Sequence, residues 1–249
     1  MKIENSIALV TGANRGIGRS LVTALVNKGA RKVYAGVRDI DALLSGDPDF
    51  LESFKGKVEL VSLDITKKNQ VDLAAQKAHD TNLLINNAGI ANYSGFIAAA
   101  DLSSARQEME VNYFATLAMI RAFAPLLKKG GGGAIVNILS VASLVNFPFL
   151  GTYSASKAAL FSLTQGVRAE LAGQSTTVTG VFPGPIDTDM AKGIEMEKAS
   201  PDEIASGTLE AVENGQEDVF IDQMAVQFHK DYLSDAKSVE RQIGEMLPA

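Results

Sequence analysis

Residues 7–10, Ile-Ala-Leu-Val, run directly into Thr11-Gly12-Ala13-Asn14-Arg15-Gly16-Ile17-Gly18, and an amphipathic stretch follows to Lys28. A short run of strand formers, a glycine cluster and then helical periodicity read as strand, tight turn and helix. This unit constrains the fold more than any other, because a strand feeding a helix that packs back on its own sheet leads to layered, parallel α/β architecture. Gly12, Gly16 and Gly18 let the backbone turn sharply and come close to a ligand. The first N–H groups of the helix lack internal partners and favour an anion such as a pyrophosphate. The spacing is G-x-x-x-G-x-G, not the G-x-G-x-x-G of the general dinucleotide fingerprint, but the mechanical reasons are the same.

The alternation repeats along the chain. Strands are expected at 32–37, 58–63, 83–85, 134–139, 178–182 and 219–221, with one helix over 103–128, another from Tyr153 to about 171 and a mainly helical tail over 224–247. This predicts an α/β fold, a Rossmann-type doubly wound parallel sheet of about seven strands with helices on both faces. No repeat or linker interrupts the 249 residues, so one domain over 1–249 is expected. Gly46-Asp47-Pro48-Asp49 divides the crossover 40–57 into two short helical pieces. Gly130-Gly131-Gly132-Gly133 reads as a flexible link and not a phosphate loop, because a strand and not a helix follows it.

Composition narrows the function. A net charge of −6 and a pI near 5.0 lack the basic footprint of a nucleic-acid or anionic-membrane binder. The absence of cysteine removes disulfides and thiolate metal sites. His79 and His229 have no second ligand at metal spacing and read as surface residues, so no metal is expected. The first apolar run is too short for a signal peptide and no run reaches spanning length, so a cytoplasmic protein is expected.

The end of the second strand should select the cofactor, because the adenosine ribose lies there. Val37 is followed by Arg38, which suits a 2′-phosphate, and Arg15 in the glycine loop adds a second cation. This points to NADP(H), with Asp39 read as a helix or turn starter beyond the strand. Asp64 and Ile65 end the third strand, where they would meet adenine or where Asp64 would cap the next helix. Asn86-Asn87-Ala88-Gly89 ends the fourth, its amides suited to tying strands together and its small residues to letting a cofactor pass.

Tyr153 and Lys157, four apart, share one helix face and bring an ammonium beside a phenol. A nearby cation stabilises phenolate and should lower its pKa. Ser140 ends the fifth strand, from which its hydroxyl could face the phenol, with Ser143 as the competing serine. Asn112 lies among apolar Val111, Phe114 and Leu117, where an amide must find partners. Pro183-Gly184-Pro185-Ile186-Asp187-Thr188 closes the sixth strand in a turn whose N–H groups and Thr188 hydroxyl suit a carboxamide or phosphate.

Taken together, Thr11 to Gly18, Asn86-Asn87-Ala88-Gly89, Ser140, Tyr153-x-x-x-Lys157 and Pro183-Gly184 through Thr188 resemble the short-chain dehydrogenase/reductase family over roughly residues 5–190. The resemblance implies a tetrad of Asn112, Ser140, Tyr153 and Lys157. In it Tyr153 gives a proton to a carbonyl oxygen that Ser140 also hydrogen-bonds. Lys157 lowers the phenol pKa and holds the nicotinamide ribose, and Asn112 holds a water leading protons to Lys157. It also assigns Gly12, Asn14 and the rest of the glycine loop, with Asn87, Ala88 and Gly89, to the cofactor wall. Asp64 and Ile65 go to adenine, and Pro183, Gly184, Ile186 and Thr188 to the nicotinamide end. The C-terminal Gly-Gly pair of many members is replaced by Asp222-Gln223-Met224, so a homodimer is as plausible as a homotetramer.

The segments expected to face the nicotinamide, with a substrate loop at about 188–206, carry Phe96, Leu144, Val145, Phe147, Phe149, Met190, Ile194 and Met196. About half of these should line a pocket, the usual fate of Phe and Leu being the core. Such a pocket suits a hydrophobic ketone or aldehyde, or the corresponding alcohol. The alternative is a 3-oxoacyl-[acyl-carrier-protein] reductase, for whose acidic carrier Lys128 and Lys129 offer little basic surface. A non-catalytic NADP-sensing protein would have no use for Tyr153, Lys157 and Ser140 together.

Overall fold

The computed structural model describes residues 1–54, 56–193 and 195–247. One parallel sheet is built from β1 (Ile7–Thr11), β2 (Lys32–Val37), β3 (Val58–Ser62), β4 (Leu83–Asn86), β5 (Gly133–Ile138), β6 (Thr176–Val181) and β7 (Asp218–Val219). The strand number and parallel pairing agree with the alternation, and the strands lie in the order β3-β2-β1-β4-β5-β6-β7. The order reverses between β1 and β4, and the crevice beyond the carboxyl ends of these two strands is where ligands bind in such sheets.

Among the described residues, seven α-helices lie between strands, α1 (Gly16–Asn27), α2 (Ile40–Gly46), α3 (Lys68–Lys77), α4 (Ser103–Glu108), α5 (Thr116–Lys129), α6 (Gly151–Leu171) and α7 (Pro201–Asn214), and α8 (Gln223–Gly244) follows β7. All five residues of β1 are buried, because both faces of the sheet are covered. Ala8 and Val10 meet Leu21, Leu25 and Leu209 of α1 and α7 on one face. Leu9 turns the other way, to Met119 and Phe123 of α5 and Val167 of α6. Among the described residues no helix is long and apolar enough to cross a membrane.

Several boundaries differ from the sequence reading. The helix expected over 103–128 is three pieces, since a π-helical segment, Met109–Ala115, separates α4 from α5. Its wider turn carries Asn112, and such segments recur at functional sites. The four glycines after α5 are a packed turn and not a loose link. Gly131 and Gly132 have φ of 89° and 112°, and a side chain at Gly132 would run into the Ser175 carbonyl. The strand expected at 219–221 has only two residues, because Asp222 leaves the sheet to cap α8 through the Ala225 N–H at 2.8 Å. The loop expected to 206 ends at Ser200, which caps α7 ahead of Pro201 with its hydroxyl accepting from the Glu203 N–H. His79 is exposed, but His229 is partly buried, stacked 3.8 Å from Phe220 between ring centroids.

Candidate active site

At the reversal point a cleft of about 890 Å³ runs across the carboxyl edge of the sheet. Its floor begins at the glycine loop. Asn87, just past β4, donates from Nδ2 to the carbonyls of Thr11 (2.9 Å) and Gly12 (3.2 Å), while its own N–H and that of Ala88 both donate to the Thr11 hydroxyl at 3.0 Å. The loop and the Asn87 wall are therefore one unit. Gly18 is the position with no room for a side chain, since a Cβ there would collide with the Gly12 carbonyl oxygen and stand 2.5 Å from Asn87 Nδ2. Arg15 precedes α1 in extended conformation, and no acidic residue stands in the first turn of that helix. Open amides and a glycine floor that admits a ligand suit a pyrophosphate.

Arg38 and Asp39 line the cleft at the end of β2. Asp39 caps α2, its carboxylate accepting from the Ala42 N–H at 2.9 Å, so it is the helix starter expected. Arg15 also lines the cleft, but its guanidinium is paired with Asp189 at 3.1 Å. Asp64 and Ile65, expected at adenine, also line the cleft. Asp64 does not cap the next helix; it accepts from the N–H (3.0 Å) and hydroxyl (2.7 Å) of Thr66 in a local turn. Its pKa is held low by those two bonds against the opposing effect of burial.

At the other end stand Ser140, Tyr153 and Lys157, all lining the cleft. The Ser140 hydroxyl accepts from the Ala142 N–H at 3.1 Å, and Ser143 accepts from the Ser140 N–H at 3.2 Å. The competing serine is thus buried support for Ser140, whose hydroxyl stands near enough to the Tyr153 phenol to lower its pKa. Burial pushes the Tyr153 phenol up to about 12, against the lowering effect of Ser140. The lowering expected from Lys157 is not what governs the phenol. The Lys157 ammonium donates to the Ile138 carbonyl at 2.8 Å and stands 5.7 Å from the centre of the Tyr153 ring. Burial in turn lowers Lys157 to about 8. A phenol held protonated is a proton donor in waiting.

Asn112 does not line the cleft. It is fully buried behind Gly89, accepting from the Ile90 N–H (3.0 Å) and donating to the Ile90 carbonyl and the Ser156 hydroxyl, both at 2.9 Å. The strand tie expected of Asn86 is present, its amide donating to Asn137 at 2.9 Å.

Pro183, Gly184, Ile186 and Thr188 border the same end of the cleft. The Gly184 N–H is not free, as the turn had suggested, but donates to Asp222 at 2.9 Å. Of the apolar residues expected in the substrate pocket, Phe147, Phe149, Met190 and Met196 line the cleft. Leu144 and Val145 pack into a cluster with Phe228 and Val239, Phe96 is exposed, and Ile194 lies outside the described residues.

Four residues at the site were not legible beforehand. Tyr93 and Met224 line the cleft, while Asp222 and Glu108 are buried supports. Only Asp222 had a local signal, an acidic residue just before a helical stretch; its second bond, to Gly184, spans 38 residues.

A family model described as short chain dehydrogenase matches residues 6–199. An uncharacterised oxidoreductase of Staphylococcus saprophyticus is 31% identical over 220 residues, covering 86% of this chain and 93% of that protein. A short chain dehydrogenase from Burkholderia cenocepacia, solved in complex with NADP, is 43% identical, covers 100% of both chains and superposes with a TM-score of 0.90. An NADPH-bound carbonyl reductase from chicken fatty liver is 29% identical over 87% of this chain and 96% of its own, with a TM-score of 0.79.

Proposed function

This chain belongs to the short-chain dehydrogenase/reductase family, and from that premise we propose that it is an NADPH-dependent reductase of hydrophobic ketones and aldehydes with Tyr153 as the acid. The observation that carries the reading is one continuous cleft with Arg38 at one end and the Ser140–Tyr153–Lys157 group, among apolar side chains, at the other. The residues fit the cofactor. Gly18, which has no room for a side chain, lets the start of α1 pack directly against Gly12 and Asn87, that start lacks acidic residues, and Arg38 supplies the cation for a 2′-phosphate. NADP complexes of the Burkholderia and chicken proteins support the same assignment.

Bound NADPH supplies the hydride. The protein supplies the rest. Tyr153, protonated across neutral pH, gives its proton to the carbonyl oxygen, and Ser140 holds that oxygen as negative charge develops on it. Lys157 sits within reach of Gly89 and the phenol ring and holds the ribose. Asn112, fixed through Ile90 and Ser156, keeps the wall behind the lysine in place. In the oxidative direction Tyr153 takes the proton back. Phe147, Phe149, Met190 and Met196 give the substrate an apolar seat.

An NADPH-oxidation screen across aryl and alkyl ketones, aldehydes, quinones and acyl thioesters tests the reading. Turnover of the ketones and aldehydes is expected. Inert ketones together with rapid reduction of a charged acyl thioester would replace it with 3-oxoacyl reduction.

A further inference from the structure

We propose, on the carbonyl-reductase reading above, that Glu108 is a positioning residue that fixes Tyr93 through Asn92 as a bar across the substrate end of the cleft, and that this bar limits the bulk of the carbonyl compound admitted to Tyr153.

Glu108 ends α4 and is fully buried. Its Oε1 accepts from the Asn92 N–H at 2.7 Å, whereas its Oε2 is buried without a protein partner. A carboxylate in that position is costly, because it leaves water with only part of its hydrogen-bonding capacity met. Packing does not account for it, since an apolar side chain would fill the space without that penalty. What the carboxylate does is hold the Asn92 backbone, to which the Asn92 side chain adds a 3.2 Å bond to Gln107.

The next residue is the consequence. Tyr93 has a φ of 50°, a left-handed conformation in which a bulky side chain is strained and persists only where its neighbours hold it. From there its hydroxyl donates to the Met190 carbonyl at 2.6 Å, joining segments 97 residues apart. Tyr93, Met190 and Tyr153 all line the cleft. Tyr93 and Glu108 both stand close enough to Tyr153 to raise its pKa. The bar therefore lies beside the proton donor and joins the loop after β4 to the segment before α7. A compact ketone fits beneath a closed bar, and a bulky diaryl ketone requires the Tyr93–Met190 bond to open.

Three variants separate the parts. Tyr93→Phe keeps the ring and removes the bond to Met190. Glu108→Ala removes the hold on Asn92, and Glu108→Gln restores an oxygen that accepts from its N–H. Two readouts follow for each: the ratio of kcat/KM for benzophenone to that for acetophenone with NADPH, and the rate of tryptic cleavage after Lys192, whose side chain is 80% exposed beside the bar.

Tyr93→Phe and Glu108→Ala should raise the ratio by about three- to tenfold, as expected for one lost hydrogen bond. The change should fall mainly in KM for benzophenone, with NADPH affinity unchanged. Both should accelerate cleavage, and Glu108→Gln should resemble wild type in both readouts. An unchanged ratio in Tyr93→Phe overturns the size limit, unchanged cleavage overturns the bar, and failure of Gln to rescue overturns positioning by Glu108. If the wild type reduces neither ketone, the substrate reading fails separately and cleavage alone decides the bar. If Glu108→Ala does not fold, Tyr93→Phe decides it.

Discussion

The Lys157 ammonium donates to the Ile138 carbonyl, 2.8 Å away at the end of β5, and presents itself to the Tyr153 ring at 5.7 Å. The pair is thus a buried cation packed beside a protonated phenol, and each group shows the cost of leaving water: the lysine falls to about 8 and the tyrosine rises to about 12.

The first prediction concerns the lysine. Its folded pKa lies below the ordinary 10.5, so its favourable contribution is complete above pH 10.5 and is lost as pH falls through 8. The difference amounts to at most about 3 kcal/mol. Urea denaturation of the cofactor-free protein should show wild type gaining on Lys157→Met between pH 8 and 10.5, and trailing it at neutral pH. Parallel stability curves would contradict the burial cost.

Tyr153→Phe keeps the ring and removes the proton. Turnover should fall by about 10²- to 10⁴-fold, the usual contribution of a positioned acid, while NADPH binding followed by fluorescence titration stays near wild type. A protein that only senses the cofactor would be indifferent to this change.

Arg38→Asp should reverse the cofactor preference. Replacing a phosphate partner by a carboxylate should lower kcat/KM for NADPH by about ten- to a hundredfold and improve it for NADH. Arg15→Ala should do less, because Arg15 is already paired with Asp189. Equal effects of the two substitutions would show that both guanidinium groups share the phosphate.

Gly18→Ala places a methyl group against the Gly12 carbonyl and the Asn87 amide. Because the obstacles include backbone, the loop must shift, at a cost of about 1–3 kcal/mol. A lower denaturation midpoint and a larger loss of NADPH affinity are expected together. Full affinity would mean that the glycine floor is not the cofactor wall.

Local signals carried most of the fold into the sequence. Apolar strand runs, the glycine turn and Asp39 before α2 each act within a few residues, so spacing alone reveals them; α7, opened by Ser200 and Pro201, begins inside the stretch expected to be loop. The reach of the strands was legible to within a residue or two, and β7 stops short of its expected end because Asp222 is committed to Gly184 and to capping α8. The π-helical segment was not legible, because a helix that widens by one residue keeps nearly the same apolar periodicity.

By itself, then, the sequence determined a parallel doubly wound sheet, the glycine turn at its centre and the kinds of group gathered beside it: a phenol, a lysine, a serine and an arginine. Those follow from residue type and short-range periodicity. Only the tertiary structure decided which polar atoms are free and which are taken: Gly184 N–H by Asp222, Arg15 by Asp189, Lys157 by Ile138, and Asn92 by Glu108. Each of these is a hydrogen bond between residues well separated in the chain, and no local pattern records it; all but the exposed Arg15–Asp189 pair involve groups at least partly withdrawn from water.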